Sequence, residues 1–440
     1  MVTATRGLQR ILGLGFGLAV IIGATLGIGI LRTPGLVAGQ LASMPAILAV
    51  WIIGGLYTLL GSICLTELGT MMPAAGGYYV YARRAFGTMA GFAVGWTDWL
   101  TYCAVLGYIS IGLAEFVAVL MPRLAPTVKP VAVAALLAFV ALQWAGVRIS
   151  SRFQEWTTAV KFAAFVALVI GCLVLAPGTS AAAAAPVAAS FAGLIIALQS
   201  VVITYGGWQS ALYFTEEDRD PARNLPRAMI GGVAAVIGVY LLVNVALLEV
   251  LPPSTLAHST LPAADAANLV LGGRGAQIIT LLSIVSLPPL LNAIMMIGTR
   301  ILFAMGRDRL LPAGAAIVNA RGTPTVATLA TTAVAIALIA TGTFQKLVAV
   351  ASFFLAANYF VCCLALFVLR RREPSAARPF RAWGYPWSAA IVVAGAAAFL
   401  IGALAADTKN AALALVLLAI GVAGRAAAGR AKLPSATRRV

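Results

Sequence analysis

Long apolar runs recur along the whole chain, separated by short polar segments. Runs of roughly 20 residues with few charges match the length a helix needs to cross a ~30 Å hydrocarbon core. About twelve such helices are expected, near residues 11–42, 45–66, 88–120, 128–146, 153–176, 188–214, 227–251, 275–304, 324–342, 345–369, 385–406 and 409–427. The first is long because it contains an irregular stretch, GATLGIGILRTPG (23–35). Gly23, Gly27 and Gly29 fall in mid-span, and Pro34 follows. Lipid offers no water to satisfy a freed backbone, so a broken helix is tolerated only where it is buried in protein or lines a cavity.

The sixth run breaks in the same way. Gly206 and Gly207 interrupt ITYGGWQSALYFTEE (203–217), with Gly206 lying 179 residues after Gly27. Five helices separate the two breaks, and an odd number turns the second half upside down relative to the first. The expected fold is therefore all-α and membrane-integral, a single multi-pass domain over 1–440. Residues 8–180 form the first repeat, 188–370 the inverted second repeat, 385–427 two appended helices and 428–440 a basic tail. Paired breaks in inverted halves are the sequence mark of a secondary transporter's binding site.

Each break supplies chemistry. The N-terminus of the outer half-helix presents free N–H groups that attract a carboxylate. The inner half ends in free carbonyls that accept from an ammonium. One broken helix can thus hold both ends of an α-amino acid. Glycine suits the site because it lets a ligand approach the backbone closely. The alternative, glycines that merely let helices pack in small-xxx-small seams, stays open for the first run taken alone and loses ground once the second break is set beside it.

Composition agrees with a membrane protein. The 440 residues are 62% hydrophobic and 10% charged, with mean hydropathy +0.99. A soluble domain of this size has no way to hide so much apolar surface. The net charge of +17 raises the question of nucleic acid, and its placement answers it. With the N-terminus inside, the inner loops carry 22 of the 30 Lys and Arg and the outer loops 5. That is the positive-inside pattern. It places both termini in the cytoplasm of a cell (inner) membrane protein and leaves no nucleic-acid surface. The first apolar run reads as a helix and not as a cleaved leader. The five cysteines fall in or beside apolar spans without a C-x-x-C pair, and the single histidine, His258, lies in an outer loop. No disulfide framework, metal site or cofactor is expected.

Ionisable residues at membrane depth are functional candidates. Lys161 leads, roughly 12 Å into the core if counted at ~1.5 Å per residue from Phe153. Glu115 is read as interfacial, Asp98 as part of a belt with nearby tryptophans, and Arg300 as snorkelling or bound to carbonyls. Glu67 and the group Glu216, Glu217, Asp218 and Asp220 are read as cytoplasm-facing partners for arginines. Asn358 is a possible pathway residue. Pro288 and Pro289 put the geometry of the eighth span beside Lys161 in question.

Four motifs carry a family resemblance. They are IGATLGIGILRTPG (22–35), CLTELGTMMPAAGGYYVYARRAFG (64–87), GWQSALYFTEEDRDPARNLPRAMIGG (207–232) and GTRILFAMGRDRLLP (298–312) followed by RGTP (321–324). In order and on these spans, they make the chain resemble the amino acid–polyamine–organocation superfamily of transporters, in its L-type and cationic amino acid branch. Ile28 departs from the motif, where Ser or Thr is commoner. The resemblance implies a LeuT-type fold of five plus five inverted helices with two appended, helices 1 and 6 broken, and alternating access around a midplane site. It implies that a carboxylate meets the N–H groups of Gly27, Ile28 and Gly29, beside Leu26. An ammonium would meet carbonyls of Thr25, Ile203, Thr204 and Gly206, with Ile203 as a small aliphatic gate. It also implies that Lys161 stands where sodium-coupled relatives bind sodium; apart from the resemblance, Ser283 and Ser286 are read as hydroxyls that would bind its charged form and, with Asn358, as possible pathway residues.

The resulting expectation is a sodium-independent, proton-coupled transporter of a free, neutral amino acid. Exchange and cationic or polyamine transport are the alternatives; a cationic substrate wants carboxylates at the breaks, and none is near. A membrane enzyme lacks a positioned nucleophile, base or metal cluster. A non-transporting sensor is a remote alternative.

Overall fold

The structure is a computed structural model, and it describes residues 7–41, 43–175, 190–259, 261–342, 344–406 and 408–431. All regular elements among them are helical, apart from two isolated bridges, Leu12 with Asp218 and Val318 with Pro324. The helices are α1 (Leu14–Thr25), α2 (Gly29–Leu41), α3 (Met44–Met71), α4 (Tyr78–Phe86), α5 (Thr88–Leu120), α6 (Val128–Trp144), α7 (Val147–Leu175) and α8 (Phe191–Thr204). After a 3-10 segment, Trp208–Phe214, come α9 (Pro221–Val250), α10 (Pro253–His258), α11 (Pro262–Leu271) and α12 (Gly275–Arg307). The chain ends with α13 (Thr325–Thr341), α14 (Phe344–Arg372), α15 (Trp387–Ala406) and α16 (Thr408–Ala431).

Among the described residues, eight helices are long and apolar enough to cross a membrane, or nine if the bent pair α1 and α2 counts as one. Three shorter apolar helices, Thr325–Thr341, Trp387–Gly402 and Ala411–Arg425, stand beside them. Large side chains such as Trp156, Val174 and Phe191 are 73–78% exposed. On a chain this apolar, such faces meet lipid and not water.

Several boundaries move. α3 runs on to Met71, α7 starts at Val147, α9 at Pro221, and α14 continues to Arg372. An apolar run marks only the part of a helix inside hydrocarbon, and polar turns continue it into the aqueous layer. Pro221 opens α9 at a position where its missing N–H costs nothing. Three helices, α4, α10 and α11, lie in stretches read as loops. The basic tail begins later than expected, since α16 reaches Ala431; the rest of it, and most of the loop at 180–190, lie outside the described residues. α12 runs unbroken through Pro288 and Pro289.

α5 and α12 pack against each other at the centre, and α5 also meets α14, α4, α6 and α13. A second core joins α2, α3, α8 and α9. The helix breaks lie between these two cores.

Candidate functional site

α1 ends at Thr25, and α2 starts at Gly29 after a 47° bend. Leu26 is extended (ψ 99°) and its N–H still bonds back to Ile22. Pro34 weakens the start of α2 because it gives no N–H to the Ile30 carbonyl. The second break spans Tyr205 to Gly207, between α8 and the 3-10 segment. Gly207 has φ +115°, which favours glycine. A Cβ there would sit 2.5 Å from the Ala24 carbonyl oxygen and 2.9 Å from the Thr25 nitrogen. The two breaks therefore touch, backbone against backbone.

Three further contacts fix them together. The Tyr240 hydroxyl of α9 lies 2.7 Å from the Thr25 carbonyl and 3.0 Å from the Thr204 carbonyl. The Thr33 and Thr204 hydroxyls pair at 2.8 Å. A Cβ on Gly29 would meet Thr204 Cγ2 at 3.2 Å. Tyr240 had no mark in the sequence, being one tyrosine in an apolar run, 215 residues from Thr25.

The groups expected to hold an amino acid divide as follows. Of the three N–H groups expected to take the carboxylate, that of Gly27 bonds the Tyr240 hydroxyl, whereas those of Ile28 and Gly29 have no hydrogen-bond partner among the described residues and both residues are half-buried. The Tyr240 hydroxyl, with one proton to give, donates to either the Thr25 or the Thr204 carbonyl, and the Ile203 carbonyl receives the Gly206 N–H at 2.9 Å. A carbonyl has two lone pairs, so each keeps at least one acceptor position. The Ile203 side chain is 51% exposed.

Lys161 is fully buried on α7. Its Nζ donates to the Gly23 carbonyl at 3.0 Å and the Ser286 carbonyl at 2.8 Å, so it ties α1 to α12 just before the first break. The hydroxyl partnership expected for Ser283 and Ser286 is corrected. Those hydroxyls donate to Ile279 and Leu282 within α12, because a helical serine's nearest acceptor is the carbonyl one turn back. Gly23 makes room for the α7 side chains: a Cβ there would lie 2.5 Å from both Gln154 Nε2 and Thr158 Oγ1. Both of those side chains donate to the Ala19 carbonyl. Asn358 is buried, and its Oδ1 accepts from Thr97 at 2.9 Å.

Two charged residues are placed differently from their reading. Asp98 is not in an interfacial belt; it is fully buried, with one oxygen accepting from Tyr213 at 2.8 Å and the other unpartnered among the described residues. Arg300 does not snorkel. It is buried in a two-pronged pair with Glu217, at 2.9 and 3.0 Å, which likewise does not face solvent. Such a pair survives burial because the planar guanidinium matches both carboxylate oxygens. Glu115 is exposed near the end of α5, as read.

Ion pairs join the ends of the helices on the side of the expected inner loops. Glu216 meets Arg307 at 2.7 Å and the Ala75 N–H at 2.8 Å. Glu67, fully buried, takes Arg370 at 2.5 Å, the Ala382 N–H at 2.7 Å and the approach of Arg378 at 3.1 Å. Arg83 pairs with Asp308, which also accepts from Tyr79 at 2.6 Å. Arg84 bonds Glu373 at 2.6 Å and holds its carboxyl below the usual carboxylate range. These contacts join α3, α4, α12 and α14 with the loops beside them. No group of three or more His, Cys, Asp or Glu suited to a metal occurs among the described residues.

Comparison with known proteins gives the same direction. The chain is 27% identical over 435 residues to the serine/threonine exchanger SteT of Bacillus subtilis, covering 96% of this chain and 97% of that protein. It is 30% identical over 387 residues to the Asc-type amino acid transporter 1 of Mus musculus, covering 85% and 73%. It is 29% identical over 391 residues to the b(0,+)-type amino acid transporter 1 of Oryctolagus cuniculus, covering 86% and 79%. The family model for amino acid permeases matches residues 17–422, and on that match, with the two joined breaks beneath it, the chain belongs to the amino acid permease family.

Proposed function

We propose that this permease carries a neutral amino acid across the cell membrane by alternating access, with twelve crossings in a LeuT-type inverted arrangement and both termini in the cytoplasm. The observation that supports this most is the unsatisfied start of α2 facing a second break that touches the first. Free N–H groups of Ile28 and Gly29 would take the carboxylate, and the remaining lone pairs at Thr25, Ile203, Thr204 and Gly206 would take the ammonium. These opposed backbone groups suit one substrate with both α-groups free. Among the described residues no Asp or Glu bonds to residues 25–29 or 203–207, which favours a neutral substrate over a cationic amino acid or polyamine.

Lys161 supports a sodium-independent cycle. Its ammonium already occupies the place between α1 and α12, held by two carbonyls, and leaves no anionic cage for a sodium ion. Coupling to a proton would follow if that ammonium gave up and regained its proton as α1 moves against α12. A second reading, obligate exchange, is favoured by the name of SteT, a serine/threonine exchanger. Uptake of labelled neutral amino acids into proteoliposomes, empty or preloaded, with choline in place of sodium, tests all of this. Uptake that needs preloading selects exchange, uptake driven by an inward pH gradient selects proton coupling, and uptake that collapses in choline refutes the reading of Lys161.

A further inference from the structure

A cavity of about 660 Å³ among the described residues does not lie over the first break. It lies between α3, α8, α14 and α15, and none of residues 25–29 lines it. Gly54 and Tyr57, Leu198 and Val202, and Ala356 and Phe399 form its walls. It reaches the second break at Ile203 and Gly206 and has Trp208 and Gln209 at its floor.

Its mouth opens sideways. Ile53, Ile195, Ile203 and Ile401 line it and are 41–68% exposed. All four lie on apolar helices, where an exposed isoleucine faces hydrocarbon. These exposed side chains put the edge of the cavity on an apolar face of the helices, and no residue of the α2 N-terminus lines it.

The lining holds no charged residue and is almost wholly apolar. Thr58, Gln199, Gln209, Ser352 and three tyrosines add few exposed polar atoms, and an amino acid held there would meet no charged partner and none of the free N–H groups of Ile28 and Gly29, so burying its carboxylate is costly. Water is held by convergent polar groups, and apolar cavities stay dry. An empty space of this size would forfeit the dispersion contacts of all its walls. Its volume falls within the ~300–1,000 Å³ usual for a small-molecule site. One class of occupant satisfies every term: a hydrocarbon chain already present at the mouth.

We propose that this cavity is a binding site for one acyl chain of a membrane phospholipid, inserted laterally between α8 and α15 so that it rests against the second break. α8 carries both Ile203 and Thr204, so a chain seated there braces the half-helix that joins α2.

The proposal is tested by reconstituting the full-length protein with a phosphatidylcholine that carries a diazirine on its acyl chain, irradiating, and mapping labelled peptides by mass spectrometry. The expected result is strong labelling within 195–209 and 352–359, lost in Ala356→Phe, which fills the space, and in Ala398→Phe, which narrows it. Labelling around the exposed Trp156 of α7 should be unchanged in both variants. Labelling of the cavity no stronger than at Trp156, or unaffected by both variants, would overturn the proposal. Labelling of the cavity by photo-leucine, displaced by unlabelled amino acid, would overturn it as well and make the cavity part of the amino acid's path. Uptake by the wild type is read separately, so failure of the lipid site and failure of the transport reading remain distinct.

Discussion

Gly207→Ala perturbs the junction of the two breaks with a single methyl group. The native φ of +115° costs an L-residue about 1–3 kcal/mol. The new Cβ would lie 2.5 Å from the Ala24 carbonyl oxygen and 2.6 Å from its carbon, where ordinary contacts begin at 3.4 Å. Both obstacles are backbone, so neither can swing away, and the close-packed breaks must part by roughly 1 Å. A shift of that size aimed at a charge-assisted hydrogen bond removes most of it, about 1.5–3 kcal/mol. Binding of a neutral amino acid should therefore weaken by about 10–100-fold. The assay is equilibrium binding of a radiolabelled amino acid to detergent-purified protein, with monodispersity checked by size exclusion. Gly238→Ala, on α9, is the control: nothing lies within 4 Å of its added Cβ, and it should bind as wild type. A monodisperse Gly207→Ala protein with wild-type affinity would refute the claim that the joined breaks form the site.

Gly29→Val should abolish binding while the protein still inserts, because its β-carbon presses on Thr204 at 3.2 Å and its methyls cover the free N–H groups; retained affinity would leave the glycine a packing residue. Lys161→Ala removes two hydrogen bonds from a charged donor that tie α1 to α12, each worth about 1.5–3 kcal/mol, so the melting temperature should fall and uptake should stop; unchanged uptake would return Lys161 to a structural role. Glu217→Gln leaves Arg300 buried and unpaired at a cost of about 3–5 kcal/mol, and the double variant Glu217→Leu with Arg300→Met should recover much of the lost melting temperature. The Arg84–Glu373 pair contributes at most about 1 kcal/mol because it is partly exposed. Its contribution is present above the usual carboxylate range and is lost as pH falls through the lowered value of folded Glu373, so Arg84→Met should flatten a small loss of stability in a pH series of melting temperatures.

The spans and both breaks were legible because lipid imposes long apolar runs and glycine marks where they fail. Gly27 and Gly206 stand out against such runs without any knowledge of the fold. Chain ends of helices were less legible: the polar turns at 147–152 and 221–226 continue helices whose apolar signal starts later. α4 was hidden because nine residues with Arg83 and Arg84 resemble a loop, and α10 and α11 are too short to show a membrane period. Partners far apart in sequence left no trace at all. Asp98 meets Tyr213, 115 residues away, and Arg300 meets Glu217, 83 residues away. Beside tryptophans, or near a helix end, each had a reasonable local explanation that tertiary packing replaced. Tyr240 is the clearest such case, since a lone hydroxyl gains its role only when two backbone breaks arrive beside it.

The central claim is that backbone groups of opposite sign, drawn from two joined helix breaks, hold both ends of an amino acid during transport. Its most direct test is competition in proteoliposomes, with uptake of a labelled neutral amino acid challenged by the same amino acid, its methyl ester and its N-acetyl derivative. Uptake should be inhibited by the free amino acid and left nearly intact by either blocked form. Strong inhibition by the ester or by the N-acetyl derivative would contradict the account.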